Sequence, residues 1–293
     1  MSSRRVLVAG CAEAAGQDDD EPLLLAALAD AGLTAGVADW RDPAVDWAAA
    51  DLVVVRSTWD YAPLRPEFLA WAERVESLTR LANPAAVLRW NTDKRYLREL
   101  AGAGLPVVPT AWAEAPEQVD AALDRWPGDV VVKPAVSAGA RDTARFAADQ
   151  RGAAREHAVR VLTDGRAVMV QPYLSRLEAA GETGLVYVAG EFSHAFGKAA
   201  LLAGGPLGAG LFAEEQLSER EPAPHELELG AAVLAWTVGR TGAPPLYARV
   251  DLVPGDDGGS QVIELELTEP SLNLWASAGS ADRLAHAVRH LLS

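Results

Sequence analysis

Lysine, cysteine and long apolar runs are all scarce in this chain of 293 residues. Its single cysteine, Cys11, excludes an intrachain disulfide and a cysteine metal cluster, and it suits a buried small residue after a first strand better than a reactive thiol. No apolar stretch approaches the roughly 18 residues of a membrane span. The opening Met1-Ser2-Ser3-Arg4-Arg5 leads into a short apolar run that reads as a strand, not a signal peptide. A cytoplasmic protein is the expectation. Positive charge is also short: 26 Lys and Arg stand against 41 Asp and Glu, a net charge of −15. With no basic run, such a chain repels nucleic acid, although local cations and metal ions can still hold a nucleotide. Only three of the basic residues are lysine, namely Lys94, Lys133 and Lys198. Lysine is a compact point charge where arginine is a wide fork, so a chain that almost always chooses arginine invites attention to the three exceptions.

What is present is a strand and helix alternation. Residues 5–9 and 51–55 read as buried strands around an amphipathic helix at 21–32, a parallel α/β unit ending near Asn83-Pro84. A helix is predicted from Asn91 or Thr92, both good N-caps, to about residues 102–106. The pattern then becomes α+β, with a helix at 116–126, strands at 129–133 and from 143, a helix at 150–162 and a strand at 167–170. A hairpin over Gly190 joins 184–189 to 191–196, and 203–210, with four glycines and one proline, reads as a mobile loop. A helix at 225–239, strands at 246–253 and 261–267 around an Asp-Asp-Gly-Gly turn, and a last helix from Ala281 complete the chain.

Each candidate for chemistry has a plain structural alternative. Lys94 sits in a first helical turn, where a cation opposes the helix dipole unless an anion is near; otherwise it is a solvated lysine. Lys133 ends a valine run beside a loop of small residues, 137–143, that includes Ser137 and Gly139; such loops let backbone N–H groups approach phosphate, or are simply tight connections. Gln171, Pro172, Tyr173 and Leu174 leave a strand and could read a planar base, with Glu178 and Glu182 near for sugar hydroxyls, or they form a hinge. The strongest pattern is the alternation that puts Arg249 and Asp251 on one strand face and Glu264 and Glu266 on another. If the two strands pair, the three carboxylates meet, an oxygen set suited to Mg²⁺. The segment Arg56, Ser57, Thr58, Trp59, Asp60, Tyr61 follows a buried strand, where α/β units bind ligands. There Arg56 could pair a substrate carboxylate and Asp60 an ammonium; the alternative is a capped loop that packs on the core, with the substrate near Ser271 and Asn273.

In this order the elements resemble the ATP-grasp superfamily, over nearly the whole chain. The resemblance implies an α/β (α+β) architecture: a Rossmann-like preceding domain at 1–90, a linker helix and central lid at 91–170, and a C-terminal subdomain with an antiparallel sheet at 171–293. It implies ATP and two Mg²⁺, with Mn²⁺ as a substitute. Lys94 and Lys133 would hold phosphates under a lid of residues 137–143. Residues 171–174 would bind adenine, and Glu178 or Glu182 the ribose. Lys198 would reach phosphate or ligand, Asp251, Glu264 and Glu266 the metals, and Arg249 the transferring phosphoryl group. Glu266 stands where many members have Asn. The segment 56–61 and Glu269-Pro270-Ser271-Leu272-Asn273 are similar to those of a short single-chain subgroup of O-ureido-D-serine cyclo-ligase type. An ADP-forming carboxylate–amine ligase acting through an acylphosphate on a small amino-acid-like molecule is expected, with an oligomer open. A non-catalytic ATP-binding module or a small-molecule kinase are the alternatives.

Overall fold

The computed structural model describes residues 4–200, 216–255 and 258–293. Its first sheet is parallel: β1 (Arg5–Gly10), β2 (Thr34–Asp39), β3 (Leu52–Val55) and β4 (Arg80–Ala82) lie in the order β2-β1-β3-β4. Strands of a parallel sheet are covered on both faces, which is why β1 and β3 are continuous apolar runs. Val6, Val8 and Val54 pack with Leu24 and Leu28 of helix α1 (Asp20–Asp30). Leu7, Val53 and Val55 turn to the other face, against Phe68, Trp71 and Val75 of α2 (Arg65–Leu78).

Two short helices follow, α3 (Ala85–Asn91) and α4 (Tyr96–Gly102), where one helix starting at Asn91 or Thr92 was expected. Asn91 ends the first of them and caps neither. The second sheet is antiparallel, order β5-β8-β6-β7, from β5 (Ala111–Ala113), β6 (Val130–Pro134), β7 (Ala144–Phe146) and β8 (Val168–Pro172). Helices α5 (Val119–Asp124) and α6 (Arg151–Thr163) close its core. β8 runs two residues further than its sequence suggested, because Pro172 takes the last register position, opposite Val130.

After α7 (Leu177–Ala180) comes an antiparallel sheet of order β11-β10-β9-β12-β13. It comprises β9 (Glu182–Val188), β10 (Glu191–Lys198), β11 (Leu217–Glu219), β12 (Tyr247–Pro254) and β13 (Ser260–Glu266). Helix α8 (Pro224–Thr241) packs on one face, and α9 (Ser280–Leu291) shares the other with α1. The turn between β12 and β13 closes through Gly255 N–H to the Gly259 carbonyl; Asp256 and Asp257 of that turn, like the glycine-rich stretch 203–210, lie outside the described residues. Among the described residues no helix is long and apolar enough to cross a membrane.

The first and third sheets are tied by buried amides. Asn83 donates to the carbonyls of Tyr247 (3.0 Å) and Leu267 (2.8 Å) and accepts from Leu246 N–H (2.7 Å). Asn91 donates to the Leu265 carbonyl (2.8 Å) and accepts from Leu267 N–H (2.7 Å). Their core is continuous too: Val6 and Leu24 belong to one cluster with Val186, Phe196, Leu272 and Val288.

Candidate active site

Connections that follow β1 and β3 of the first sheet, and strands of the other two sheets, border a cavity of about 490 Å³. Strands β12 and β13 build its most charged wall. Their antiparallel register sets Arg249 opposite Glu266 and Asp251 opposite Glu264, so the alternation in the sequence brings four charges to one face. Arg249 holds both oxygens of Asp251, Nε to Oδ1 at 2.8 Å and Nη2 to Oδ2 at 2.9 Å, and also pairs with Glu266. Its Nη1 donates to the Ser271 carbonyl at 2.9 Å.

Each of the three lysines reaches this cavity. Lys198, at the end of β10, lies 2.8 Å from Asp251 and 2.9 Å from Glu182. Lys94 precedes α4 and donates to the Ser137 carbonyl (2.8 Å) and to Glu264 (2.9 Å). Lys133, on β6, is buried, and among the described residues no carboxylate lies within 4.0 Å of its ammonium. Burial therefore pushes it down to about 8, opposed by Glu264 and reinforced by Lys94. For Lys94, burial pulls the same way, but Glu264, with Glu266 and Glu269 behind it, leaves the ammonium above its ordinary value.

The carboxylates show the reverse imbalance. Asp251 is buried, yet Arg249 and Lys198 hold it at about 2. Burial also acts on Glu264, which Lys94 and Lys133 keep below the usual range. Glu266 is pushed up to about 7 by burial, with Arg249 opposing and Glu264 and Asp251 adding to it, and Glu269 to about 8 by burial and Glu266. The wall holds more negative charge than its own cations neutralise.

The expected nucleotide residues divide. Ser137, Gly139, Gln171, Pro172, Tyr173, Leu174 and Glu182 border the cavity. Gly139 (φ 61°), Ala140 (φ 56°) and Asp142 (φ 59°) give the 137–143 loop a left-handed backbone at three positions. Gln171 is turned by its side chain to Thr110, at 2.9 Å. Of the two acids considered for a sugar, Glu182 is on the cavity wall. Glu178 is not; it accepts from Tyr173 Oη (2.6 Å) and Arg145 (3.0 Å).

In the segment 56–61 the cavity is met by Trp59 and Tyr61, while Arg56, Ser57, Thr58 and Asp60 are buried behind it. Arg56 pairs with Asp20 at 3.2 Å and donates to the Pro270 carbonyl at 2.7 Å; Asp60 accepts from Trp40 Nε1 at 2.6 Å and Arg41 at 3.3 Å. The charges expected to grip a substrate here have partners within the protein. Ser271 and Asn273 do border the cavity. So do Glu269 and the acids Asp18, Asp19 and Asp20, which sequence reasoning passed over. Their signal was an acidic run between a parallel strand and its helix, readable also as ordinary helix N-terminal charge.

As they stand, each of these carboxylates is paired with a cation: Asp251 with Arg249 and Lys198, Glu264 with Lys94, and Glu266 with Arg249. Among the described residues one set could hold a metal ion with ligand atoms all within 4.8 Å: Cys11, Glu13 and Asp60. Arg41 already lies 3.3 Å from Asp60 and 3.8 Å from Glu13. Burial, with Asp60 beside it, raises the Cys11 thiol, which disfavours the thiolate a metal needs.

A family model for the N-terminal domain of D-cycloserine synthetase DcsG matches residues 6–83. The cycloserine biosynthesis protein DcsG of Streptomyces lavendulae is 38% identical over 284 residues, 94% of each chain. The crystal structure of D-cycloserine synthetase DcsG covers 99% of this chain and 100% of its own, at 36% identity and a TM-score of 0.91. A RimK domain ATP-grasp protein from Sphaerobacter thermophilus DSM 20745 shares the fold at 20% identity and a TM-score of 0.68, over 97% of this chain and 99% of its own.

Proposed function

This chain belongs to the D-cycloserine synthetase family of ATP-grasp ligases, enzymes that form C–N bonds, and from that premise we propose that it is an ADP-forming cyclo-ligase of the O-ureido-D-serine type. The observation that carries the proposal is the meeting of all three lysines with Arg249, Glu264 and Glu266 on one cavity. A substrate carboxylate oxygen takes the γ-phosphoryl group of ATP and ADP leaves. A nitrogen of the same molecule then attacks the acyl carbon, phosphate departs and the nitrogen loses its proton. With O-ureido-D-serine the ring so formed still carries the carbamoyl group on that nitrogen, and water must cleave it, releasing carbon dioxide and ammonia, to leave cycloserine. Phosphoryl transfer of this kind needs positioning and charge stabilisation more than a nucleophilic side chain.

Lys133, with no carboxylate within 4.0 Å among the described residues, takes a phosphate oxygen. Lys94 does the same while holding the 137–143 loop over it through the Ser137 carbonyl. Backbone groups of 171–174 take the adenine and Glu182 the ribose. Arg249 and Lys198 steady the transferring group. The crowded carboxylates, with Glu266 at about 7, suit a divalent cation that supplies the missing positive charge. Asp251, Glu264 and Glu266 would hold Mg²⁺, or Mn²⁺ in its place. When bound, the metal neutralises phosphate charge.

The test is to incubate the purified chain with MgATP and O-ureido-D-serine, following ADP release and cycloserine by mass spectrometry. One ADP per ring formed is expected. ADP without a ring would mean a kinase, and nucleotide binding with no ADP under any amino-acid condition would mean a binding module.

A further inference from the structure

The β1–α1 connection forms a stretch of cavity wall with no part in the steps above. It comes at the carboxyl end of a parallel strand, the edge where such sheets bind ligands. Asp18 and Asp20 lie on it, exposed by only 7% and 3%. Acids before a helix ordinarily serve its N-terminus from the surface, and Asp18 does accept the Asp20 N–H, at 3.1 Å. That role needs no burial.

The two carboxylates differ in their partners. Asp20 is fully matched: it pairs with Arg56 at 3.2 Å and accepts the N–H groups of Leu272 (2.7 Å), Asn273 (3.0 Å) and Leu274 (2.6 Å). It thereby fixes the loop that carries Ser271 and Asn273 to the cavity. Asp18 has a hydrogen bond with Ser57 but, among the described residues, no cation within 4.0 Å. Burial raises its carboxyl, and Arg56 only partly opposes this. His194, a further titratable group near Asp20, is pushed down by burial, which disfavours its charged form. Two buried carboxylates share one guanidinium, which leaves one buried negative charge on this wall beside the exposed Asp19, and a buried unpaired charge is costly.

We propose that Asp18 anchors the ammonium group of the amino-acid-like substrate. A primary ammonium brings one positive charge to a carboxylate that already has the Asp20 N–H and Ser57 as hydrogen-bond partners but, among the described residues, no cation within 4.0 Å. The role expected of Asp60 passes to a residue that borders the cavity. This assignment rests on the ligase reading for its substrate.

The experiment is calorimetric titration of the full chain and of Asp18→Asn with O-ureido-D-serine and with its des-amino counterpart, 3-(ureidooxy)propanoate, each with Mg²⁺ and a non-hydrolysable ATP analogue. Asparagine keeps an acceptor for the Asp20 N–H, and unchanged affinity for the ATP analogue checks that the fold is intact. Asp18→Asn should bind O-ureido-D-serine about tenfold to hundredfold more weakly, the range of a charge-assisted hydrogen bond. The des-amino compound should bind both proteins alike. Equal losses for both compounds, or none for either, would overturn the assignment. Asp18-dependent binding without ADP release would sink the ligase reading and leave the ammonium site standing. Normal turnover with an unchanged KM in Asp18→Asn would do the opposite, and a wild type that binds neither compound refutes both.

Discussion

Replacing Lys133 by methionine should stabilise the empty protein and weaken its hold on ATP. The residue is 8% exposed and its ammonium is lowered from 10.5 to about 8. At about 1.4 kcal/mol per unit, that is a penalty on the charged form of up to about 3 kcal/mol. The sign follows from linkage. A lysine whose folded value lies below its unfolded one costs stability below pH 8, and the cost fades as pH rises from about 8 to 10.5. Denaturant unfolding at pH 7 should therefore find Lys133→Met more stable than wild type by up to about 3 kcal/mol, the gap narrowing above pH 8. A phosphate oxygen removes the same penalty, so the variant should bind ATP about a hundredfold more weakly at pH 7. In wild type, ATP affinity should fall as pH rises past 8. Binding at pH 9 should take up protons, measurable by calorimetry in buffers of different ionisation enthalpy, and the variant should show neither effect. A variant with wild-type ATP affinity, or one less stable at pH 7, would refute the reasoning.

Glu264→Gln should lower kcat for ADP release on the order of a hundredfold, since it removes a carboxylate from the charged wall. Its melting temperature should fall as well, because buried Lys94 loses its paired carboxylate, and scanning calorimetry beside the kinetics separates that loss from the effect on turnover. Asp20→Asn should cost about 3–5 kcal/mol in a denaturant titration, because it leaves Arg56 buried without its counterion; a loss under 1 kcal/mol would mean that the clamp on 272–274 is weak.

The features legible in the sequence were those fixed by short-range geometry. Period-two alternation put Arg249, Asp251, Glu264 and Glu266 on one face, and antiparallel pairing brought them together. Lysine scarcity singled out three positions that all reach one cavity. What escaped depended on partners far along the chain. Arg56 looked free for a substrate because Asp20 and the Pro270 carbonyl are distant in sequence, and Asp60 because Trp40 and Arg41 are. Asn91 had the chemistry of an N-cap, but the strand it ties lies 174 residues on. Pro172 reads as a strand terminator, and it is one, but from inside the last register position, where its missing N–H does no harm.

The amide ties at Asn83 and Asn91 bear on how such an enzyme can change over generations. The first 90 residues look like a transferable cassette, a parallel unit with its own helices. Yet Asn83 satisfies backbone groups of Leu246, Tyr247 and Leu267, and Tyr247 reaches back to the Val55 carbonyl. Exchanging that segment for a cousin's would strand buried donors and acceptors on both sides of the splice, each a loss of about 1–3 kcal/mol. Single substitutions on the loops around the cavity leave those ties intact, whereas recombination at the obvious joint breaks them.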